Sequence, residues 1–419
     1  MMTIGLRKWF SSNGSFIQNT GSLIATTLLT SGLGFVYWWI AARLFTAEAV
    51  GLSAALTSSM LMLGNIGRLG LDNFLISELP KRGKLAPRLL ISSLWLSGGV
   101  ALAFGLSFAW LSPFFAKDVH SYFDVWSNTL SFALGVALTS LSMVLDKALI
   151  AYMWGSTQLW RNILFSVLKI LFLFMVACIF IGLGDAGIIN SWILANLISL
   201  AFVFGLLARR LELPALPHKS AFNGLGLNIF NHYFLDIAQS AHALIMPLLS
   251  VSLFGASLSG AFYVAWTFIL MGRMIPMHIT TVLHALGSRD RELLRSKMRM
   301  TLKLSFLLSF VVCSVLFFAS GPLLGLFGRE YAEFAADPLQ ILAFIIFPYI
   351  IKVHYLALAR VQHFVAKAAF IMTIFAVLEI LITLFSASIG GLMGMSYALL
   401  FLSSLEALVL LPSIWKTVK

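Results

Sequence analysis

Long apolar stretches with almost no charge dominate this chain and limit the folds it can adopt. Of its 419 residues, 60% are hydrophobic and only 11% are charged, whereas about a quarter of the residues of a soluble domain are charged. Many windows of roughly 20 residues are apolar enough to cross the hydrocarbon core of a bilayer as helices. The sequence therefore predicts an all-α integral membrane protein.

The apolar windows predict about twelve membrane-spanning helices. The first follows Arg7 and Lys8, but it is longer than the core of a signal peptide, so we interpret it as a retained helix. The predicted spans cover residues 20–45, 50–79, 88–112, 124–153, 158–182, 186–210, 226–253, 258–286, 300–325, 333–357, 366–386 and 390–414.

Lysine and arginine are distributed unevenly between the two sets of loops. Most of the 28 lie on the side of the N-terminus, including Arg161, while the other side carries Arg43, Lys117 and Arg329. Short cytoplasmic loops are enriched in these residues, so we expect both termini in the cytoplasm. Attraction to the anionic headgroups of the membrane then explains the net charge of +12. We therefore expect membrane lipids as partners and do not expect nucleic acid.

A faint internal repeat divides the chain near its middle. The stretch 44–51 resembles 253–260, and 165–171 resembles 375–381 at nearly the same offset. With an even number of spans in each half, the two copies share one orientation and are related by an axis along the membrane normal, with a cleft between them. The predicted divisions are an N-terminal six-helix bundle at 1–210, a cytoplasmic linker at 211–224 and a C-terminal six-helix bundle at 225–419.

Polar residues at helical spacing mark one face of several spans. Residues three, four or seven places apart share a helix face, so each set is expected to line the cleft. Within the first set, Arg68 and Asp72 could equally pair with each other along the helix. The sets are Asn65, Arg68 and Asp72 in the second span, His232, Asp236 and Gln239 in the seventh, and Arg273 in the eighth.

Further ionisable side chains lie inside the apolar stretches. Each would cost about 2.5–3.5 kcal/mol at the centre of a lipid-facing helix, so most must pair, face water or reach an interface. Lys147 and Lys352 lie near predicted cytoplasmic ends, and we expect them to reach the interface. The repeat places Lys169 and Glu379 at equivalent, mid-membrane positions, where they either pair with each other or each face a local partner or the cleft.

The sequence contains no pattern typical of a catalytic or metal-binding site. It has no Ser-His-Asp arrangement on an elbow, no glycine-rich phosphate loop and no His or Cys spacing suited to zinc. The loops are also too short to form a separate extramembrane domain. We therefore expect a protein that is not an enzyme, with no catalytic residues, no metal and no cofactor.

Several short motifs resemble those of a known transporter superfamily. They are Asn19-Thr-Gly-Ser22, Ala42-Arg-Leu-Phe45 with Gly51, Gly67-Arg-Leu-Gly-Leu71, and Gly260-Ala-Phe-Tyr-Val-Ala265. The chain resembles the oligosaccharide (O-antigen and polysaccharide) flippases of the multidrug/oligosaccharidyl-lipid/polysaccharide exporter superfamily. It departs from them at 283–286, where a frequent proline is absent, and at Glu78, where an arginine is common.

The resemblance implies a flippase in the bacterial inner membrane. Its substrate would be a polyprenyl-pyrophosphate-linked oligosaccharide, moved to the outer face by alternating access, with polysaccharide assembly proteins as further partners. Guanidinium groups match phosphate oxygens, so Arg68 and Arg273 would hold the pyrophosphate. Asn65, His232 and Gln239 would line the same cleft.

Two alternatives remain at this point. The first is a multidrug-type exporter of small molecules coupled to protons or sodium, in which Asp72, Asp236, Glu379 and Lys169 would take part in ion coupling. The second is a membrane scaffold that transports nothing, against which the many intramembrane charges argue.

Overall fold

A computed structural model describes residues 14–114, 117–179, 184–214, 216–218, 227–287, 291–362 and 364–418. Side-chain surroundings are described from residue 29 onward, apart from those of some residues within helices. Every regular element in these ranges is a helix, so the predicted all-α class is confirmed for the described part of the chain.

The helices of the first half of the chain are α1 (Gly14–Leu44), α2 (Ala47–Gly67), α3 (Leu71–Glu78), α4 (Ala86–Leu111), α5 (Lys117–Tyr122), α6 (Trp126–Ala151), α7 (Gly155–Ile179) and α8 (Gly184–Arg210). Those of the second half are α9 (Leu227–Gly287), α10 (Arg291–Phe318), α11 (Ser320–Gly325), α12 (Arg329–Ala343), α13 (Ile346–Val361) and α14 (Val365–Val418). Three single-turn 3₁₀ helices, Leu79–Lys81, Gly83–Leu85 and Ser112–Phe114, flank α4.

The chain forms two compact units, each made from several segments. Unit 1 consists of Met1–Ala41, Ser59–Phe115 and His120–Tyr233, and unit 2 of Ala42–Ser58, Ala116–Val119 and Phe234–Lys419. The division into 1–210, 211–224 and 225–419 remains a prediction.

Many of the helices are long and apolar enough to span a membrane. By length and composition, eight helices of the described chain can cross a bilayer, or nine if the bent pair of α12 and α13 counts as one span. The protein is thus a multi-pass membrane protein. The location of its termini and the total of about twelve spans remain predictions.

Two helices are far too long for a single span and break at glycine. At about 1.5 Å per residue, α9 and α14 would extend roughly 90 and 80 Å, against a hydrocarbon core of about 30 Å. Gly255 (φ 77°) interrupts α9 and Gly391 (φ 58°) interrupts α14. Glycine adopts such backbone angles without a steric penalty. The predicted spans 226–253 and 258–286 fall on opposite sides of the first break, and the predicted span 390–414 begins at the second.

The predicted span 50–79 is wrong as one continuous helix. The helix α2 ends at Gly67, and Leu69 (φ 52°) and Gly70 (φ 73°) adopt left-handed backbone angles before α3 begins. A left-handed residue cannot continue an α-helix, so the chain turns here. Asn65 and Arg68 therefore do not share a continuous helix with Asp72.

A close helix crossing in unit 2 joins two stretches that the repeat matches. Gly51 of α2 lies against the carbonyl oxygen of Ala256 in α9, and Gly260 of α9 lies against that of Ala47 in α2. A Cβ atom at either glycine would overlap this backbone, so only glycine allows the approach. The contact is reciprocal, as a local two-fold axis would make it. The repeat itself remains a prediction.

The helix α13 is buried on all sides in unit 2. Every residue from Tyr349 to Ala359 is buried, including Lys352 and His354. A helix buried all round has no face on which a charged side chain meets water. His354 is satisfied at one ring nitrogen, because its Nδ1 donates to the Ile350 carbonyl oxygen at 2.8 Å, while its buried Nε2 has no hydrogen-bond partner in the described part of the chain. Lys352 needs a partner from another helix.

Candidate functional site

The partner of Lys352 is Glu406, which lies after the glycine break of α14. The Lys352 Nζ donates to Glu406 Oε2 at 3.0 Å, and the two side chains are only 7% and 6% exposed. The expectation that Lys352 reaches the interface is wrong, because the neighbours of α13 enclose it. Glu406 keeps a second buried oxygen, Oε1, without a hydrogen-bond partner in the described part of the chain.

Arg273 joins the same region from α9. Its guanidinium carbon lies 3.9 Å from the centre of the Tyr349 ring, a cation–π contact, and the residue is buried. The preceding Gly272 lets α9 approach α13 closely, because a Cβ there would lie 2.7 Å from the Ile346 side chain.

Glu379, in α14 before its glycine break, completes a group of four buried charges. It lines one small cavity with Arg273, Lys352, Ser403 and Glu406, and the other three charged residues act on it electrostatically. The cavity measures about 10 Å³, roughly the room that one water molecule needs. We name Arg273, Lys352, Glu379 and Glu406 the unit 2 charge cluster.

The unit 2 charge cluster has balanced formal charge. With all four groups ionised, two cations face two carboxylates, so a proton or sodium ion bound there would leave one excess positive charge. Carboxylate oxygens are suitable ligands for protons and hard cations. The cluster therefore has the composition of a site that can bind and release a small cation.

Unit 1 buries a lysine in a different way. The Lys169 Nζ lies 4.4 Å from the ring centre of Trp192, 5.0 Å from that of Tyr37 and 5.2 Å from that of Phe165. The residue is 3% exposed, and the described residues provide no carboxylate in ion-pair contact with it. Ring faces attract a cation through their quadrupole, more strongly where water is absent. We name these three rings the Lys169 cage.

Gly34 and Tyr37, both in α1, shape the Lys169 cage. A Cβ at Gly34 would lie 4.0 Å from the Lys169 Nζ, an ordinary van der Waals distance, so α1 passes directly beside the ammonium. The Tyr37 hydroxyl donates to the Ile188 carbonyl oxygen at 2.9 Å and lies 3.1 Å from Ser191 Oγ. These bonds hold the ring in place.

Arg161 is a buried functional candidate that the sequence interpretation missed. It was counted among the residues of the cytoplasmic side, at the start of the predicted span 158–182, but it lies within α7 and is 3% exposed. Its guanidinium bonds Asn196 Oδ1 at 2.5 Å and Ser142 Oγ, and lies 3.6 Å from Asp146. These contacts join α6, α7 and α8. The spacing of Ser142 and Asp146 on one helix face was the available signal.

The predicted residues of the second span interact with each other. Arg68 forms an ion pair with Asp72, and its Nε donates to the Asn65 carbonyl oxygen at 3.3 Å. Asp72 is fully buried. The local pairing that the spacing left open is present, while a substrate or coupling role for these residues remains a prediction.

The other predicted residues are only partly described. The side chains of His232 and Asp236 lie outside the described residues. Gln239 is half-buried in α9. Lys169 and Glu379 each have partners within their own unit, which is one of the alternatives that the sequence left open. Among the described residues, no group of three or more His, Cys, Asp or Glu side chains is arranged to hold a metal ion.

Comparison with known proteins identifies the fold of the chain. Residues 237–385 match the family model MatE, and no curated protein matches the chain. An inward-facing multidrug resistance MATE family transporter of the MOP superfamily is 14% identical, with a TM-score of 0.63 over 93% of this chain and 94% of that one. The MATE multidrug transporter DinF-BH, solved in complex with a ligand, is 18% identical, with a TM-score of 0.67 over 94% and 92%.

A third solved structure has the same fold. It is a MOP superfamily transporter from Pyrococcus furiosus, described as having a binding pocket of reverse polarity that suggests a different function. It is 14% identical, with a TM-score of 0.60 over 97% of this chain and 96% of that one. Identities this low show the fold alone. The chain thus has the fold of the MATE transporters of the MOP superfamily.

Proposed function

We propose that the protein exports a small organic substrate by alternating access, coupled to a proton or sodium ion that binds at the unit 2 charge cluster. The observation that carries the proposal is the cluster itself, with two carboxylates and two cations around a cavity of about 10 Å³. Similar folds of multidrug transporters, solved facing inward and outward, support the exporter over the flippase.

Glu379 is the residue that we assign to cation uptake. Lys352 already bonds Glu406 at 3.0 Å, and Arg273 lies on the ring of Tyr349. A proton on Glu379 removes one of the two negative charges and leaves the cluster positive. Charge interactions are strong in a buried site. A conformation that better tolerates the added charge would then become favoured, because a ligand shifts an equilibrium by its differential affinity.

Transport into proteoliposomes tests this assignment. The purified protein is reconstituted, a proton or sodium gradient is imposed, and the movement of a fluorescent rhodamine dye is followed. We expect gradient-driven transport by the native protein and its loss in Glu379→Gln, which keeps the shape but fixes the charge. Glu330→Gln, at an exposed position of unit 2, is the matched control. Undiminished coupling in Glu379→Gln would contradict the assignment.

The Lys169 cage favours a second candidate function. A buried ammonium without a carboxylate partner in the described chain suits an anionic group such as a phosphate better than a cationic drug. This is the feature expected of a flippase for a lipid-linked oligosaccharide. The amount of surface polysaccharide made by the host distinguishes the exporter from the flippase. Under the flippase function, Lys169→Met abolishes the surface polysaccharide at normal protein levels. Under the exporter function, Lys169→Met leaves the surface polysaccharide unchanged.

A further inference from the structure

A basic pocket lies in unit 1 where α4 begins and α8 ends. It has a volume of about 680 Å³, and its lining includes Lys84, Arg88, Arg210 and Glu212. Three cations against one carboxylate give it an excess of positive charge. All four side chains are exposed, so an incoming anion can reach them. We name this the basic pocket.

The walls of the basic pocket are held by specific contacts. The Arg210 guanidinium lies 5.1 Å from the ring centre of Trp154, and Trp154 stacks on Tyr152 at 5.2 Å. The chain that follows α8 returns to α4, where the His218 backbone N–H donates to Ser92 Oγ at 2.8 Å. The pocket is therefore a formed feature of unit 1.

An apolar groove follows the basic pocket along α4. Its volume is about 380 Å³, and most of its lining comes from α4, including Ile91, Gly99 and Leu102, while α6 contributes Leu134, Ala137 and Leu141 and α8 contributes Phe204. The lining is almost entirely apolar. A Cβ at Gly99 would meet no atom within 4 Å, so this glycine keeps the groove open.

The geometry of the two helices connects the pocket with the groove. Arg88 and Ile91 are three residues apart, so they lie on one face of α4. On α8, Phe204 and Arg210 are separated by about 9 Å along the axis. The groove from Ile91 to Leu102 extends about 16 Å, close to the depth of one leaflet, which is half of a hydrocarbon core of about 30 Å.

We propose that this surface binds an anionic phospholipid, with its phosphate in the basic pocket and an acyl chain in the groove. Basic pockets between membrane helices on the cytoplasmic side are suited to anionic headgroups. A free phosphate would use only the pocket and would leave the groove without a role. The site is formed entirely by unit 1 and shares no residue with the unit 2 charge cluster. It would hold a lipid from the predicted cytoplasmic leaflet.

Native mass spectrometry of the detergent-purified full chain tests the proposal. The protein is titrated with phosphatidylglycerol, with phosphatidylcholine as the zwitterionic comparison. We expect one phosphatidylglycerol to be retained in preference to phosphatidylcholine. The double variant Arg88→Gln with Arg210→Gln should bind it about thirtyfold more weakly, the effect expected for two cations at a membrane surface. Replacing both arginines by lysine should preserve most of the binding.

Matched variants separate the headgroup from the acyl chain. Gly99→Leu fills the groove and should weaken retention, while Gly205→Leu, at an exposed glycine of α8 outside the groove, should not. Arg209→Gln is the equivalent control for Arg210, since it removes a neighbouring charge that does not line the pocket. The exposed positions of Arg88 and Arg210 make misfolding a poor explanation for their effect.

Three outcomes would overturn the proposal. Equal retention of the two lipids would remove the requirement for an anionic headgroup. Unchanged retention in both the double arginine variant and Gly99→Leu would place any bound lipid elsewhere. Displacement of phosphatidylglycerol by inorganic phosphate at similar concentration, with no effect of Gly99→Leu, would make this a free-phosphate site.

Discussion

The two units bury a lysine by opposite means. In unit 1 the Lys169 ammonium is surrounded by three aromatic rings, at 4.4 to 5.2 Å from their centres. In unit 2 the Lys352 ammonium bonds a carboxylate at 3.0 Å and has a second carboxylate, Glu379, in the same cavity. Ring faces do not change charge, whereas carboxylates gain and lose protons. We infer that the unit 2 charge cluster can switch its charge through its carboxylates, whereas the Lys169 cage provides no carboxylate that could do so.

The comparison between the two units is tested most severely by exchanging the charges at Lys169 and Glu379, the two positions that the predicted repeat relates. Lys169→Glu would place a carboxylate against the negative faces of the Lys169 cage, and Glu379→Lys would leave three cations beside Glu406. We expect each change to abolish transport and lower stability by several kcal/mol. Because each residue has partners in its own unit, the double variant should be additive and should rescue nothing. Recovery in the double variant would show that the two residues pair.

The next largest effect is expected from removing one partner of the buried ion pair. Glu406→Ala leaves Lys352 without its carboxylate, and we expect a loss of about 3–5 kcal/mol in the free energy of unfolding. The double variant Lys352→Met with Glu406→Leu removes both charges and should recover most of the lost free energy of unfolding. Denaturant unfolding in detergent provides the measurement, with Glu330→Ala as the exposed control. Equal losses in the single and double variants would mean that packing, not charge, dominates.

A double-mutant cycle measures the Lys169 cage. Trp192→Leu removes the nearest ring and should lower the free energy of unfolding. This loss should be about 2 kcal/mol greater in the native background than in the Lys169→Met background, because only the ammonium interacts with the ring face. The same measurement of unfolding applies. A coupling near zero would mean that Trp192 acts only by packing. Phe108→Leu, in an aromatic contact of unit 1 with Phe132, is a control that should show no coupling to Lys169.

The smallest effect is expected at a carboxylate outside the spans. Glu78 lies 3.0 Å from the Lys81 Nζ and 3.5 Å from the Arg82 Nε. The hydrogen bond from Lys81 holds the pKa of Glu78 below its usual value. The folded-state pKa lies below the unfolded one, so this contribution is present above the unfolded pKa and is lost as pH falls through the folded pKa.

For Glu78→Gln we therefore expect a loss of stability of about 0.2–1 kcal/mol at neutral pH and no loss well below the usual glutamate pKa. Thermal unfolding at the two pH values is the measurement. Glu330→Gln should show a smaller difference between them. A loss for Glu78→Gln that is the same at both pH values would exclude the ion pairs as its cause.

The sequence was most informative where the relevant contacts are local. In lipid a helix satisfies every backbone hydrogen bond within its own segment, so apolar windows predict helices well. The Arg68–Asp72 pair was anticipated for the same reason, since the two residues are four places apart. The break between them was missed, although Leu69 and Gly70 form it. A leucine at φ 52° follows no sequence rule, and its neighbours in the fold determine it.

The buried charges show where local information ends. Arg161 was counted with the cytoplasmic side because charge was taken to mark that side, and Lys352 was expected at an interface because it lies near the end of a span. The partners that bury them, Asn196 and Glu406, are distant in the sequence and lie on other helices.

The sequence alone determined that this chain is a bundle of membrane helices with ionisable groups inside it, because hydropathy and helical spacing are properties of single segments. The tertiary structure alone decided which charges meet. Glu379 and Lys352 became one cluster only when α14 packed on α13, and Lys169 became a caged cation only when α1 and α8 placed Tyr37 and Trp192 beside it. Such pairings depend on the packing of whole helices, which no single segment encodes.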